Sequence, residues 1–279
     1  MHEHFWLAFG LTLFAGLATG IGSLFVFCTH RQNYRFLAWA TSFAAGVMVY
    51  ISFVEILPEG IEALEKHCGD GPTELWGVLA FFGGILGIML IDRLVPKVDN
   101  PHEARSLDAI KEVQDDVLAD QPTPAPGDHR SLHRMGILTA LAIAIHNFPE
   151  GLATFLATLH DPHLGMAIAI GIALHNIPEG ISVAVPIYYA TGKRRPALIL
   201  SLLSGLAEPA GAVIGYFLLR PFLNDAVLGA LLASVAGVMV FISFDELLPT
   251  SRAYGKGHDS MYGFIAGMAV MAASLLLLD

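Results

Sequence analysis

The chain has 279 residues, of which 54% are hydrophobic and only 14% charged, with a mean hydropathy of +0.61 and a formal net charge of −10. Ordinary soluble domains carry about 25% charged residues, so a soluble globule of this composition would expose far too much apolar surface. Two cysteines without a CxxC spacing exclude a thiolate metal site built on that motif.

Bilayer-spanning helices need about 20 apolar residues each. Eight stretches qualify, near 5–28, 34–58, 74–95, 133–158, 163–190, 196–219, 224–249 and 260–278. They are continuously apolar and too long for the alternating pattern of an outer-membrane barrel. The predicted fold class is an all-α polytopic membrane protein with eight transmembrane helices in a single domain over 1–279. The first stretch opens with Met1-His2-Glu3-His4 instead of a basic segment and exceeds a signal core, so it reads as a retained helix. Cys28 falls near the end of the first helix and Cys68 in the loop after the second. The two lie on opposite sides of the membrane in this topology, which argues against a disulfide.

The longest connector, roughly 96–131, separates the third and fourth helices. Its acidic stretch carries Leu107, Ile110, Val113, Val117 and Leu118 at helical spacing, followed by Gln121-Pro122-Thr123-Pro124-Ala125-Pro126-Gly127, which reads as an extended linker. This connector is expected to be solvated and partly disordered, with His102, His129 and His133 as loose metal contacts. Much of the negative charge sits here and in the loop after the second helix, so it is no sign of basic partners, and no nucleic-acid partner is expected. Lysines and arginines set the orientation. With the N-terminus outside, the inner loops collect Arg31, Arg35, Arg93, Lys97, Arg105, Lys111, Arg130, Arg134, Lys193, Arg194, Arg195, Arg252 and Lys256, and the outer loops only Lys66 and Arg220. That asymmetry predicts a cytoplasmic connector and both termini outside.

The fourth and fifth helices carry one phrase twice, His146-Asn147-Phe148-Pro149-Glu150-Gly151 and His175-Asn176-Ile177-Pro178-Glu179-Gly180. A charge at the bilayer centre costs at least about 2.5–3.5 kcal/mol on insertion scales, so its duplication in apolar helices points to function. Residues four apart share a helical face. His146 is therefore expected to face the same way as Glu150, and His175 the same way as Glu179. Pro149 and Pro178 leave the carbonyls of Ile145 and Leu174 without their helical donors and predict a local kink, while Gly151 and Gly180 permit close approach of a neighbouring helix. One divalent cation between the two carboxylates would neutralise both, so the motif points to an intramembrane metal site. The short connection Leu159-His160-Asp161-Pro162-His163 makes the two helices antiparallel neighbours.

The sixth helix adds a mid-helix acid in Ser204-Gly205-Leu206-Ala207-Glu208-Pro209. The seventh repeats the second: FAAGVMVYISFVEILPE (43–59) matches SVAGVMVFISFDELLPT (234–250), pairing Gly46 with Gly237, Glu55 with Glu246 and Pro58 with Pro249. Gly16-Leu17-Ala18 matches Gly205-Leu206-Ala207, which sets Thr19 opposite Glu208, and the third and eighth helices align more weakly. Helices one to three thus resemble six to eight. Five helices separate the two starts, so the copies enter the membrane from opposite sides as an inverted repeat around the central pair four and five. Such repeats flanking a midplane site recur in secondary transporters. Glu55 and Glu59 fall towards the external mouth, and Asp245 and Glu246 towards the cytoplasm, as candidate capture and release carboxylates. HExxH is absent and no serine or cysteine pairs with a base. An enzyme is not expected, although an intramembrane metallohydrolase and a metal-gated channel are the rival classes.

The paired HNFPEG and HNIPEG, the Gly205-Leu206-Ala207-Glu208-Pro209 phrase and eight helices with a variable inner loop after the third resemble the ZIP family of divalent-metal transporters. The run Ile187-Tyr188-Tyr189-Ala190-Thr191-Gly192 is most similar to its bacterial ZupT branch. The resemblance implies uptake across the bacterial cytoplasmic (inner) membrane of zinc, with iron, manganese, cobalt and cadmium as further substrates, and no resident cofactor. It implies a two-metal site in which Glu150 and Glu179 bridge both positions. His175, with His146 close by, would complete a position suited to zinc, and Asn147, Asn176 and Glu208 a mostly oxygen position suited to harder ions such as Fe²⁺. Many relatives have aspartate where this chain has Asn176. Membrane lipid and the metal ions are the expected partners, with a homodimer left open.

Overall fold

The computed structural model describes residues 4–25, 34–69, 71–94 and 129–278, and all regular structure among these is helical. Helix α1 (Phe5–Ser23) precedes α2 (Tyr34–Ile51), a π-helical turn (Ser52–Ile56) and α3 (Leu57–Cys68), which run on as one rod because the joining residues keep helical φ and ψ. Then follow α4 (Thr73–Leu94), α5 (His129–His160), α6 (Pro162–Thr191), α7 (Arg194–Gly205), α8 (Ala207–Leu219) and a 3-10 turn (Arg220–Phe222). A second rod comprises α9 (Asp225–Ile242), a π-helical turn (Ser243–Leu247) and α10 (Leu248–Tyr254), and α11 (Asp259–Leu278) ends the described chain.

Seven spans among the described residues are long and apolar enough to cross a membrane: Phe5–Ser23, Arg35–Cys68, Thr73–Ile91, Pro162–Val185, Arg194–Phe222, Asp225–Ala253 and Asp259–Leu277. They match seven of the eight predicted stretches. The fourth stretch corresponds to α5, a 32-residue helix packed against α1, α6, α7, α8 and α9. The expectations placed on Cys28 and on residues 95–128, including His102 and the Leu107–Asp120 stretch, lie outside the described residues, as do the side chains of His129 and His133.

Two local expectations change. The second helix does not stop near 58 but continues to Cys68, which closes α3 instead of sitting in a loop. A Glu62–Lys66 ion pair of 2.9 Å, four residues apart, supports that extension, and Gly60 lets α3 approach the Gly229 carbonyl of α9. The sixth helix breaks at Leu206, three residues before Pro209, whereas α5 and α6 continue through Pro149 and Pro178.

The two π turns occupy matched positions in the repeated segments, and the same causes operate in both. Pro58 and Pro249 lack the N–H that would bond the carbonyl four residues back. The residue before each proline bonds five residues back instead, Leu57 to the Ser52 carbonyl and Leu248 to that of Ser243. Each serine hydroxyl returns to a carbonyl one turn earlier, Ser52 to Met48 at 2.6 Å and Ser243 to Met239 at 2.8 Å.

Close backbone contacts recur in the same register. Gly46 of α2 lies against the Phe264 carbonyl of α11, and Gly237 of α9 against the Phe81 carbonyl of α4. In the centre, Gly180 of α6 meets the Thr19 carbonyl of α1, Gly151 of α5 meets the Glu208 carbonyl of α8, and Gly16 and Gly205 meet each other. A side chain at any of these positions would separate the helices.

The ends of the bundle are tied differently. At one end, Arg35 grips Asp259 through two hydrogen bonds of 2.8 Å, Trp39 Nε1 donates to the same carboxylate at 3.3 Å, and the Lys256 N–H donates at 3.1 Å. At the other, α5 turns into α6 over Asp161, whose carboxylate accepts from the His163 N–H at 2.8 Å with Pro162 as the first helical residue. Glu59 lies within electrostatic reach of His160 and Asp161.

Candidate metal centre

The turn at Asp161 folds α5 back along α6, which brings the two copies of the phrase together. The packing glycines let α1 and α8 close on this pair from either side. All seven candidate ligands converge in the interior, and none of His146, Asn147, Glu150, His175, Asn176, Glu179 and Glu208 is more than 3% exposed.

The contacts cross between helices. His146 Nε2 of α5 stands 2.6 Å from Glu179 Oε1 of α6, and His175 Nε2 of α6 stands 3.5 Å from Glu150 Oε2 of α5. The sequence put each histidine on the same helical face as the glutamate of its own helix. Sharing a face puts them near one another, but the partner at contact distance belongs to the neighbour. Only the 2.6 Å pair is a hydrogen bond. Both Glu150 oxygens, Glu179 Oε2 and both nitrogens of His175 are buried without a hydrogen-bond partner.

The amides follow the same crossed rule. Asn147 Nδ2 donates to the Ser204 carbonyl of α7 at 3.3 Å, and Asn176 Nδ2 donates to the Ala15 carbonyl of α1 at 2.8 Å. Asn176 also donates to Glu208 Oε1. Committing each NH₂ to a backbone carbonyl leaves Asn147 Oδ1 and Asn176 Oδ1 buried and unpaired. A buried polar atom left unpaired costs about 1–3 kcal/mol. Here Glu150, Glu179, Glu208, His175 and the two amide oxygens concentrate that cost in one place, and a divalent cation accepts electron pairs from this donor set of carboxylate, imidazole and amide.

The field around the centre is negative. Glu208 feels repulsion from both Glu150 and Glu179, and His146 is attracted by Glu179, Glu246 and Glu150. Among the described residues no three His, Cys, Asp or Glu side chains form a ready-made metal shell. The crossed His–Glu pairs take up part of the donor set.

The pathway candidates divide. Glu246 is buried in the second π turn and acts on His146, while Asp245 beside it is exposed. Glu55 is half-buried in the first π turn, and Glu59 is half-buried one turn on, at the Asp161 end. Reading the sequence missed the crossing of the pairs and the carbonyls of Ala15 and Ser204 that orient the amides. Backbone acceptors leave no residue-type signal.

The family model described as "ZIP Zinc transporter" matches residues 3–275. The chain is similar to the "Zinc transporter ZupT" of Oceanobacillus iheyensis, 56% identical over 99% of both chains. That of Lysinibacillus sphaericus is 54% identical over 98% of this chain and 97% of its own, and that of Streptococcus mutans is 52% identical over 99% of both.

Proposed function

The chain belongs to the ZIP zinc-transporter family and is a multi-pass membrane transporter, not an enzyme, and from that premise we propose that it carries zinc and other divalent cations into the cell. The observation that carries this reading is the buried, crossed arrangement of His146, Glu179, His175 and Glu150 beside Glu208. Its donors are held in the membrane interior with part of their pairing unmet.

The chemistry follows from the donor set. A cation entering this site loses most of its water, and two or three carboxylates compensate for that loss far better in a low-dielectric interior than in solvent. Glu150 and Glu179, one on each central helix, bridge two metal positions. His175 and His146 complete the position suited to Zn²⁺. Asn147, Asn176 and Glu208 complete an oxygen-rich one that accepts Fe²⁺, Mn²⁺, Co²⁺ or Cd²⁺. Binding breaks the His146–Glu179 contact, so arrival and departure of the ion are each an exchange of partners, and the ion is not trapped.

Eight membrane-spanning helices arranged as an inverted repeat account for the matched π turns and the recurring glycine contacts. In a bacterial cytoplasmic membrane with both termini outside, the Asp161 end faces outward and the Arg35–Asp259 end inward. Glu55 and Glu59 then capture the ion, and Asp245 and Glu246 release it. Radiometal uptake into proteoliposomes tests the whole reading. Glu150→Ala and Glu179→Ala should abolish saturable Zn²⁺ uptake, and wild-type rates in both would overturn the site. Glu55→Ala should raise the apparent KM, and an unchanged KM would remove its capture role.

A further inference from the structure

Four buried threonines in the bundle behave alike. Thr12, Thr41, Thr154 and Thr158 each donate the hydroxyl to the carbonyl four residues earlier, at 2.7–3.0 Å. Thr19 does not: its side chain is fully buried and its Oγ1 has no hydrogen-bond partner. The carbonyl it would ordinarily use, that of Ala15, already accepts from Asn176 Nδ2 at 2.8 Å.

The position of this hydroxyl is specific. A Cβ at Gly205 would stand 2.9 Å from Thr19 Oγ1, so the hydroxyl lies against the last residue of α7. Asn147 docks on the carbonyl of Ser204, the residue before, and leaves its own Oδ1 unpaired. Asn147 and Thr19 therefore touch successive residues at the end of α7, Ser204 and Gly205, and each keeps an uncommitted oxygen. In the internal repeat, Thr19 occupies the place of Glu208. The backbone around the two is matched as well, with Gly180 on the Thr19 carbonyl and Gly151 on that of Glu208.

We propose that Thr19 is a specificity-determining residue of the transport site, supplying a neutral hydroxyl oxygen to the passing cation beside Asn147. This rests on the transport reading above and deepens it. On the α8 side the ion meets the Glu208 carboxylate, on the α1 side the Thr19 hydroxyl, and on the α5 side the Asn147 amide oxygen. Neutral oxygens favour hard ions such as Mn²⁺ and contribute little to Zn²⁺, whose shell is built from imidazole and carboxylate. Thr19 thus widens the range of ions accepted without adding a fourth negative charge that would hold them.

The test uses the full chain in proteoliposomes, with Zn²⁺ and Mn²⁺ uptake measured for wild type, Thr19→Val and Thr19→Ser. Deleting an unpaired buried hydroxyl at constant shape is neutral or stabilising for the fold, so Thr19→Val should keep its melting temperature. It should raise the Mn²⁺ KM about tenfold, as expected for loss of one oxygen contact to a charged group, and leave the Zn²⁺ KM within about twofold. Thr19→Ser should restore the Mn²⁺ value. Equal changes for both metals, or no change for either, would overturn the role, and Thr19→Ala provides the same deletion should the valine variant fail to assemble. Wild-type uptake by Glu150→Ala and Glu179→Ala would instead overturn the transport site itself.

Discussion

His146 Nε2 and Glu179 Oε1 meet at 2.6 Å across two helices, although 33 positions separate them in the chain. His175 and Glu150 face each other in the same crossed sense at 3.5 Å. The central pair of helices is therefore joined through its candidate ligands, and the bundle's interior stability is coupled to the proposed transport site.

That coupling is measurable. Groups in contact show interaction energies of about 0.5–3 kcal/mol in double-mutant cycles. Thermal unfolding of purified His146→Ala, Glu179→Ala and the double variant should show clear non-additivity, and so should the set built on His175 and Glu150. The same-helix combination of His146 with Glu150 should be closer to additive. Equal coupling in both arrangements would contradict the crossed geometry.

Glycine substitutions should separate packing from lipid-facing positions. A Cβ at Gly151 would run into the backbone of Glu208, and one at Gly180 into that of Thr19. Overpacking of this kind costs about 1–3 kcal/mol. Gly151→Ala and Gly180→Ala should lower the yield of monodisperse protein on size exclusion. At Gly87 nothing lies within 4 Å, so Gly87→Ala should behave like wild type.

The Arg35–Asp259 clasp should report on salt. Asp259→Asn keeps a single acceptor oxygen, enough for Trp39 at Oδ1 or the Lys256 N–H at Oδ2 but not both, and removes the charge that holds both Arg35 donors. Arg35 is 69% exposed, so screening weakens its attraction. The melting temperature of the variant should fall below wild type, with a smaller difference at high ionic strength. A gap that does not shrink with salt would assign the loss to packing.

Asn176→Asp should make the fold lean on metal. Asn176 Nδ2 donates to the Ala15 carbonyl and to Glu208, and an aspartate donates to neither when ionised. The substitution removes two hydrogen bonds and sets two carboxylates face to face in a buried site. Added Zn²⁺ should raise the melting temperature of the variant more than that of wild type. An equal rise in both would show that Asn176 is remote from the bound ion.

Much of this was legible in the residues. Continuous apolar runs located seven spans because hydropathy and length are local properties, and the duplicated motif together with the mid-helix Glu208 named seven side chains that do share one buried centre. The end of the second span was misjudged because an apolar count stops where Glu59 begins, whereas the Glu62–Lys66 pair and the contact of Gly60 with α9 carry the helix ten residues further.

By itself, then, the sequence determined that this is a helical membrane protein with a histidine and a glutamate set mid-helix in each of two copies of one phrase, and a further mid-helix acid at Glu208. It also determined the register that sets Thr19 against Glu208. Only the tertiary structure decided which histidine meets which glutamate, which carbonyls hold the two amides, and which hydroxyl remains uncommitted. Period and composition act within one helix, whereas the choice of partner depends on the depth and rotation of its neighbours. Those are set by backbone contacts at Gly16, Gly151, Gly180 and Gly205, between segments far apart in the chain.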